Sequence, residues 1–222
     1  MVTAVTICAT SERERKRSQL LNRVTTFLLP GLSNSGPEHW QSYWERTDST
    51  CRRIEQAEWE TPHCADWVAE LDAAIASTAE DVVLVAHSSS CAMVAHWSRD
   101  ASAETRARVR GALLVAPSDP EGPNYPSGPT GFAPVPLVPL PFPSIVVAST
   151  NDEYVSPAQA RAYAAAWEST YVEIGAAGHI NSASGLGAWP AGRALLERLR
   201  FSLHHGASGA ATSFPPRRGF PS

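Results

Sequence analysis

Three side chains in this sequence could together open a carboxylic ester or amide: Ser88, Asp152 and His179. A serine hydroxyl is a weak nucleophile until an adjacent base takes its proton. An imidazole serves as that base when a carboxylate fixes its tautomer and stabilises the imidazolium that forms. Ser88 lies in Ala86-His87-Ser88-Ser89-Ser90-Cys91, between the apolar run 82–85 and the helix-like Met93-Val94-Ala95-His96-Trp97. Asp152 ends Ser149-Thr150-Asn151-Asp152, and His179 follows Gly178. Each candidate follows an apparent strand, so all three belong at one end of a sheet. A sharp strand-to-helix turn at a serine exposes its hydroxyl, and Ser…Asp…His is the chain order that goes with such a turn.

Each assignment has a rival. Ser90 and Cys91 are the other nucleophile candidates, but the turn selects the third position after the small residue that ends the strand. That residue is Ser88 rather than Ser89, which also competes for the role, and Cys91 falls inside the helix as a small buried hydrophobe. The backbone N–H of Ser89 then forms half of an oxyanion hole, and the N–H of Leu32 in Pro30-Gly31-Leu32-Ser33 supplies the other half. Asp119, in Ala116-Pro117-Ser118-Asp119, is the rival acid. Asp152 is preferred because it lies between a strand and a capped helix. Ser33, His39 and Trp189 are the substrate-binding candidates, whereas His87 is expected to point away from the nucleophile.

The elements that must carry these residues alternate in type. Strand-like runs cover 24–29, 52–56, 82–86, 111–115, 144–149 and 170–174. Most are apolar at consecutive positions, as parallel strands covered on both faces are. Helix-like stretches cover 37–46, 65–76, 89–99 and 157–167, with a last helix after Trp189-Pro190. The pattern predicts an α/β fold: a doubly wound, mainly parallel sheet of about six strands with helices on both faces. A switch point between strands one and three would place Gly31 and Ser88 on one crevice. Residues 117–143 are too rich in proline for a helix or a central strand, and a flap over the crevice is the functional reading.

Composition limits the function classes. The 222 residues suit one domain, here 24–203, with a leader over 1–23 and a polar tail over 204–222 expected to be flexible. A net charge of −4 gives no attraction to nucleic acid, and no apolar run approaches the roughly 20 residues a spanning helix needs. Cys8, Cys51, Cys64 and Cys91 show neither a metal-ligand spacing nor a disulfide frame, which fits reduced thiols in the cytoplasm. No metal or cofactor is expected, because metal-ligand spacings and a glycine-rich phosphate cradle are both missing.

Leu29-Pro30-Gly31-Leu32-Ser33-Asn34-Ser35-Gly36, His39-Trp40, His87-Ser88, Ser149-Thr150-Asn151-Asp152 and Gly178-His179 resemble the small serine hydrolases of the retinoblastoma-binding protein 9 / YdeN type. The resemblance runs from about residue 26 to 199. It implies an α/β-hydrolase without a large cap domain, and a triad of Ser88, Asp152 and His179. The family usually has glycine where this chain has Ala86 and Ser90, so Ser90 is expected to crowd the nucleophile. An esterase-like serine hydrolase acting on a small ester or amide is the leading expectation. A hydrolase-fold binding or scaffold protein with a protein partner is the alternative.

Overall fold

The computed structural model describes residues 24–205. The expected leader lies outside the described residues, as does the tail beyond the end of the last helix. Six strands form one parallel sheet in the order β2-β1-β3-β4-β5-β6. They are β1 (Val24–Leu29), β2 (Cys51–Arg53), β3 (Asp81–His87), β4 (Val109–Val115), β5 (Ser144–Ala148) and β6 (Thr170–Glu173). The helices are α1 (Trp40–Thr47), α2 (Cys64–Ser77), α3 (Ser89–Asp100), α4 (Ala103–Arg108), α5 (Pro157–Ala166) and α6 (Pro190–His205).

Alternate residues of each strand feed two separate cores. Phe27, Leu29, Leu84, Ala86, Leu114 and Val146 pack against α2, α3 and α5 through Leu71, Ile75, Met93, Trp97 and Tyr163. Leu28, Val83, Val85, Leu113, Val115 and Val147 face α1 and α6 through Trp40, Trp44, Leu196 and Leu199. This double cover is why the strands read as continuous apolar runs rather than alternating ones. The switch point falls between β1 and β3, where analogy with doubly wound sheets, rather than residue spacing, puts it. There the buried Gln41 side chain donates to the carbonyls of Leu29 and Val85, joining the two strand ends.

Two elements differ from the sequence reading. β2 is shorter and starts earlier than the 52–56 run, because only Cys51, Arg52 and Arg53 pair with β1. The short α4 carries no apolar stripe, and its signal is the Ser102 cap, whose hydroxyl accepts from the Thr105 N–H.

Of residues 117–143, the first part reaches the crevice, where Ser118, Tyr125 and Pro126 line the pocket, and the later part packs into the core. Phe132, Val135, Leu140 and Phe142 are buried in the core. The Trp167 indole donates to the Pro136 carbonyl at 2.9 Å, and His96 Nε2 lies 3.0 Å from the Phe132 carbonyl.

Candidate active site

Ser88 sits at the joint of β3 and α3 with φ 59° and ψ −129°. An L-residue adopts such a backbone only when its surroundings force it, which is the usual condition of an exposed nucleophile. Two neighbours hold it there. The Ser88 N–H donates to the Val115 carbonyl of β4 at 3.0 Å. Gly31 closes from the β1 side: a Cβ on it would lie 2.6 Å from Ser88 Cβ and 3.1 Å from Ser88 Oγ. Only glycine lets the β1 loop come that near.

Ser90 does not crowd the nucleophile. It is buried, its hydroxyl donates to the Pro30 carbonyl, and it stays outside the pocket lining. The Ser90 side chain ties α3 to the loop carrying Leu32. Leu32 and Ser89, the expected oxyanion donors, both line the pocket beside Ser88. Cys91 is fully buried against the Ala86 and Val115 carbonyls, and burial pushes its thiol pKa well up, so it is no rival.

The structure brings Ser88, His179 and Asp152 into one line. His179 Nε2 is 2.9 Å from Ser88 Oγ, and Nδ1 is 2.9 Å from each carboxylate oxygen of Asp152. A carboxylate only accepts, so the imidazole proton belongs on Nδ1 and Nε2 is left to accept from Ser88. The Asp152 side chain is fully buried, and the Tyr154 N–H donates to it at 2.9 Å. Asp119 lies elsewhere: its carboxylate accepts from the Tyr163 hydroxyl and the Glu121 N–H.

His179 rides on an irregular loop fastened from four directions. The Trp40 and Trp44 indoles donate to the carbonyls of Ile180 and Ala188 at 2.8 and 2.7 Å. His87 Nε2 donates to the carbonyl of His179 itself at 2.9 Å. The Ala177 and Gly178 N–H groups donate to Ser149 and Asn151, next to the acid. His87 thus faces the catalytic side, contrary to expectation, because alternation along β3 puts it on the same face as Val83 and Val85, beside Trp40 and His179.

The remaining binding candidates divide. Ser33 lines the pocket, with its hydroxyl on Glu60. His39 lines it too, while its Nδ1 caps α1 by accepting from the Gln41 N–H. Burial, the nearby Arg53 charge and then His179 lower the His39 pKa to about 3, so it is neutral. Trp189 does not reach the pocket. It is buried against Trp40 and Trp44, its ring centroid 5.1 Å from the first and stacked on the second. Its large apolar ring gains more by closing the α1–α6 core than by facing solvent.

The pocket is about 410 Å³ and is lined by serines, asparagines, histidines, Tyr125 and Tyr154, with no Asp, Glu, Lys or Arg in the lining. Sequence reasoning passed over Ser118, which lies 2.8 Å from Ser88 Oγ. Its place just after β4 was the available signal. Among the described residues no cluster of metal-ligating side chains occurs, and no helix is long and apolar enough to cross a membrane.

The family model for serine hydrolases matches residues 26–198, which span the sheet and all three aligned groups. The chain belongs to the serine hydrolase family. Among solved structures, a YdeN-like hydrolase from Pectobacterium atrosepticum is 31% identical, with a TM-score of 0.73, over 86% of this chain and 98% of that one. The ydeN gene product of B. subtilis shares the fold at 19% identity and a TM-score of 0.64, over 80% of this chain and 98% of its own. The butyrate-bound thermophilic esterase Est2 from Thermogutta terrifontis shares it at 18% identity and 0.58, over 82% and 83%. No curated protein sequence matches the chain. This hydrolase is therefore an α/β-hydrolase of the YdeN type, with no large cap among the described residues.

Proposed function

We propose that this hydrolase cleaves a small carboxylic ester, or an amide, through an acyl-enzyme on Ser88. The observation that carries this reading is the unbroken hydrogen-bonded line from Asp152 through His179 to Ser88 Oγ. Ser88 Oγ attacks the substrate carbonyl and its proton passes to His179 Nε2. The backbone N–H groups of Leu32 and Ser89 receive the oxyanion, and the leaving group departs with the proton held on His179. Water then loses a proton to Nε2, attacks the acyl carbon, and the acid leaves as that proton returns to Ser88 Oγ. Asp152 stays ionised throughout and stabilises the imidazolium.

The pocket suits an uncharged, compact substrate with both polar and apolar parts, since hydroxyls and amides share the lining with Leu32, Pro126 and Ala183 and no Asp, Glu, Lys or Arg takes part. No cofactor takes part in this scheme.

A fluorophosphonate probe tests it. The wild type should be labelled on Ser88, and Ser88→Ala should lose both labelling and turnover, the latter by on the order of 10⁶. Labelling at Ser90, or turnover that survives Ser88→Ala, would overturn the assignment. An unlabelled yet folded wild type would favour the binding-protein alternative.

A further inference from the structure

Ser88 Oγ has a second partner that the charge-relay line does not use. Ser118 Oγ lies 2.8 Å away, and Ser118 is itself buried with only 3% of its surface exposed. Counting protons fixes the direction of this bond. Ser88 has one hydroxyl hydrogen, and it must point to His179 Nε2 if that nitrogen is to act as base. The hydrogen between the two serines therefore comes from Ser118, whose hydroxyl has no other hydrogen-bond partner among the described residues.

The backbone is bent to put Ser118 there. Ala116, buried at the end of β4, has φ 48°, a conformation that costs an alanine about 1 kcal/mol or more and recurs at functional sites. The bend is fastened on both sides, by the Ala116 N–H on the Val147 carbonyl and the Asp119 N–H on the Tyr154 carbonyl. It turns the chain back over the elbow, whose own N–H is held by Val115 next door.

We propose that Ser118 is a further catalytic residue, which donates to Ser88 Oγ when that oxygen becomes the leaving group; this rests on the acyl-enzyme reading above. In deacylation the bond from the acyl carbon to Ser88 Oγ breaks and its electron pair stays on Oγ. The proton on His179 Nε2 moves to that oxygen. A hydroxyl already aimed at Oγ stabilises the developing charge alongside the imidazolium, and such a bond strengthens as its acceptor gains charge. In acylation the same bond leaves one Oγ lone pair free for attack, so its effect there is smaller.

Pre-steady-state hydrolysis of p-nitrophenyl acetate separates the two steps. Ser118→Ala should slow deacylation on the order of 10- to 100-fold, with acylation slowed far less, so that acetyl-enzyme accumulates and is seen by intact-mass spectrometry. Ser118→Cys, a weaker donor of similar shape, should fall between alanine and wild type, and it carries the test if the alanine variant does not fold. Deacylation within twofold of wild type, or both steps slowed in equal proportion, would overturn the role of Ser118. A wild type that never forms an acetyl adduct on Ser88 would overturn the acyl-enzyme reading as well.

Discussion

The Ser88 turn and the His179 loop face each other across 2.9 Å, yet they are held by different means. At Ser88 the main chain does the work: a strand runs straight into a helix, and the strained joint is closed by a backbone bond from Val115 and by Gly31 at van der Waals range. The His179 loop has no regular element of its own beyond a three-residue 3₁₀ turn at Ser182–Ser184. Side chains from remote parts of the sequence fix it: two indoles of α1, the imidazole of His87, and the polar groups beside Asp152. A nucleophile can thus be set by local chain geometry, whereas a base that must accept and return a proton is set by a net of donors that hold its backbone.

Removing the link between the two regions should have the largest effect. Asp152→Asn cannot hold the imidazole proton on Nδ1 in the same way, and kcat should fall by about 10⁴ with the fold intact by circular dichroism. Unchanged turnover would place the acid elsewhere. Next comes the main-chain side. Gly31→Ala forces the Leu32 loop away from Ser88, and the lost oxyanion contact should lower kcat by about 10²–10³ while KM changes little.

The side-chain side should respond more mildly and chiefly in stability. Trp40→Phe keeps an aromatic ring, though a smaller one, and deletes the donor to Ile180, leaving a buried carbonyl unpaired at a cost of about 1–3 kcal/mol beyond the lost packing. Denaturant unfolding should show that loss, with a smaller drop in kcat. An effect on kcat as large as that of Gly31→Ala would erase the distinction between the two regions.

A pH slope in stability is the effect most remote from the chemistry. Burial holds His39 near a pKa of about 3 and pushes His87 well below its ordinary value of 6.5. The unfolded chain takes up those protons near pH 6.5 while the folded one does not, so stability falls as pH drops through the window from about 6.5 toward 3. Each histidine contributes at most about 1.4 kcal/mol per pH unit. His39→Asn, which still supplies a helix cap, should flatten the slope by one histidine's share in unfolding curves taken between about pH 7 and 4.5.

The alternating elements, the strand-to-helix turn at Ser88, and the loops carrying Asp152 and His179 were legible as runs and their order, whereas the strand order that makes the switch point comes from analogy. They are local features: a buried parallel strand must be apolar on both faces, and a turn needs its residues at adjacent positions. Four contacts were not legible, namely Ser118 on Ser88, His87 on the His179 carbonyl, Ser90 on Pro30, and Trp189 inside the α1–α6 core. Each joins residues far apart in the chain, and a hydrogen bond or ring contact across such a gap depends on how helices and loops pack to within an ångström. Residue order carries the arrangement of strands and helices, and only close packing decides which hydroxyl, carbonyl or ring ends up within reach of the reacting oxygen.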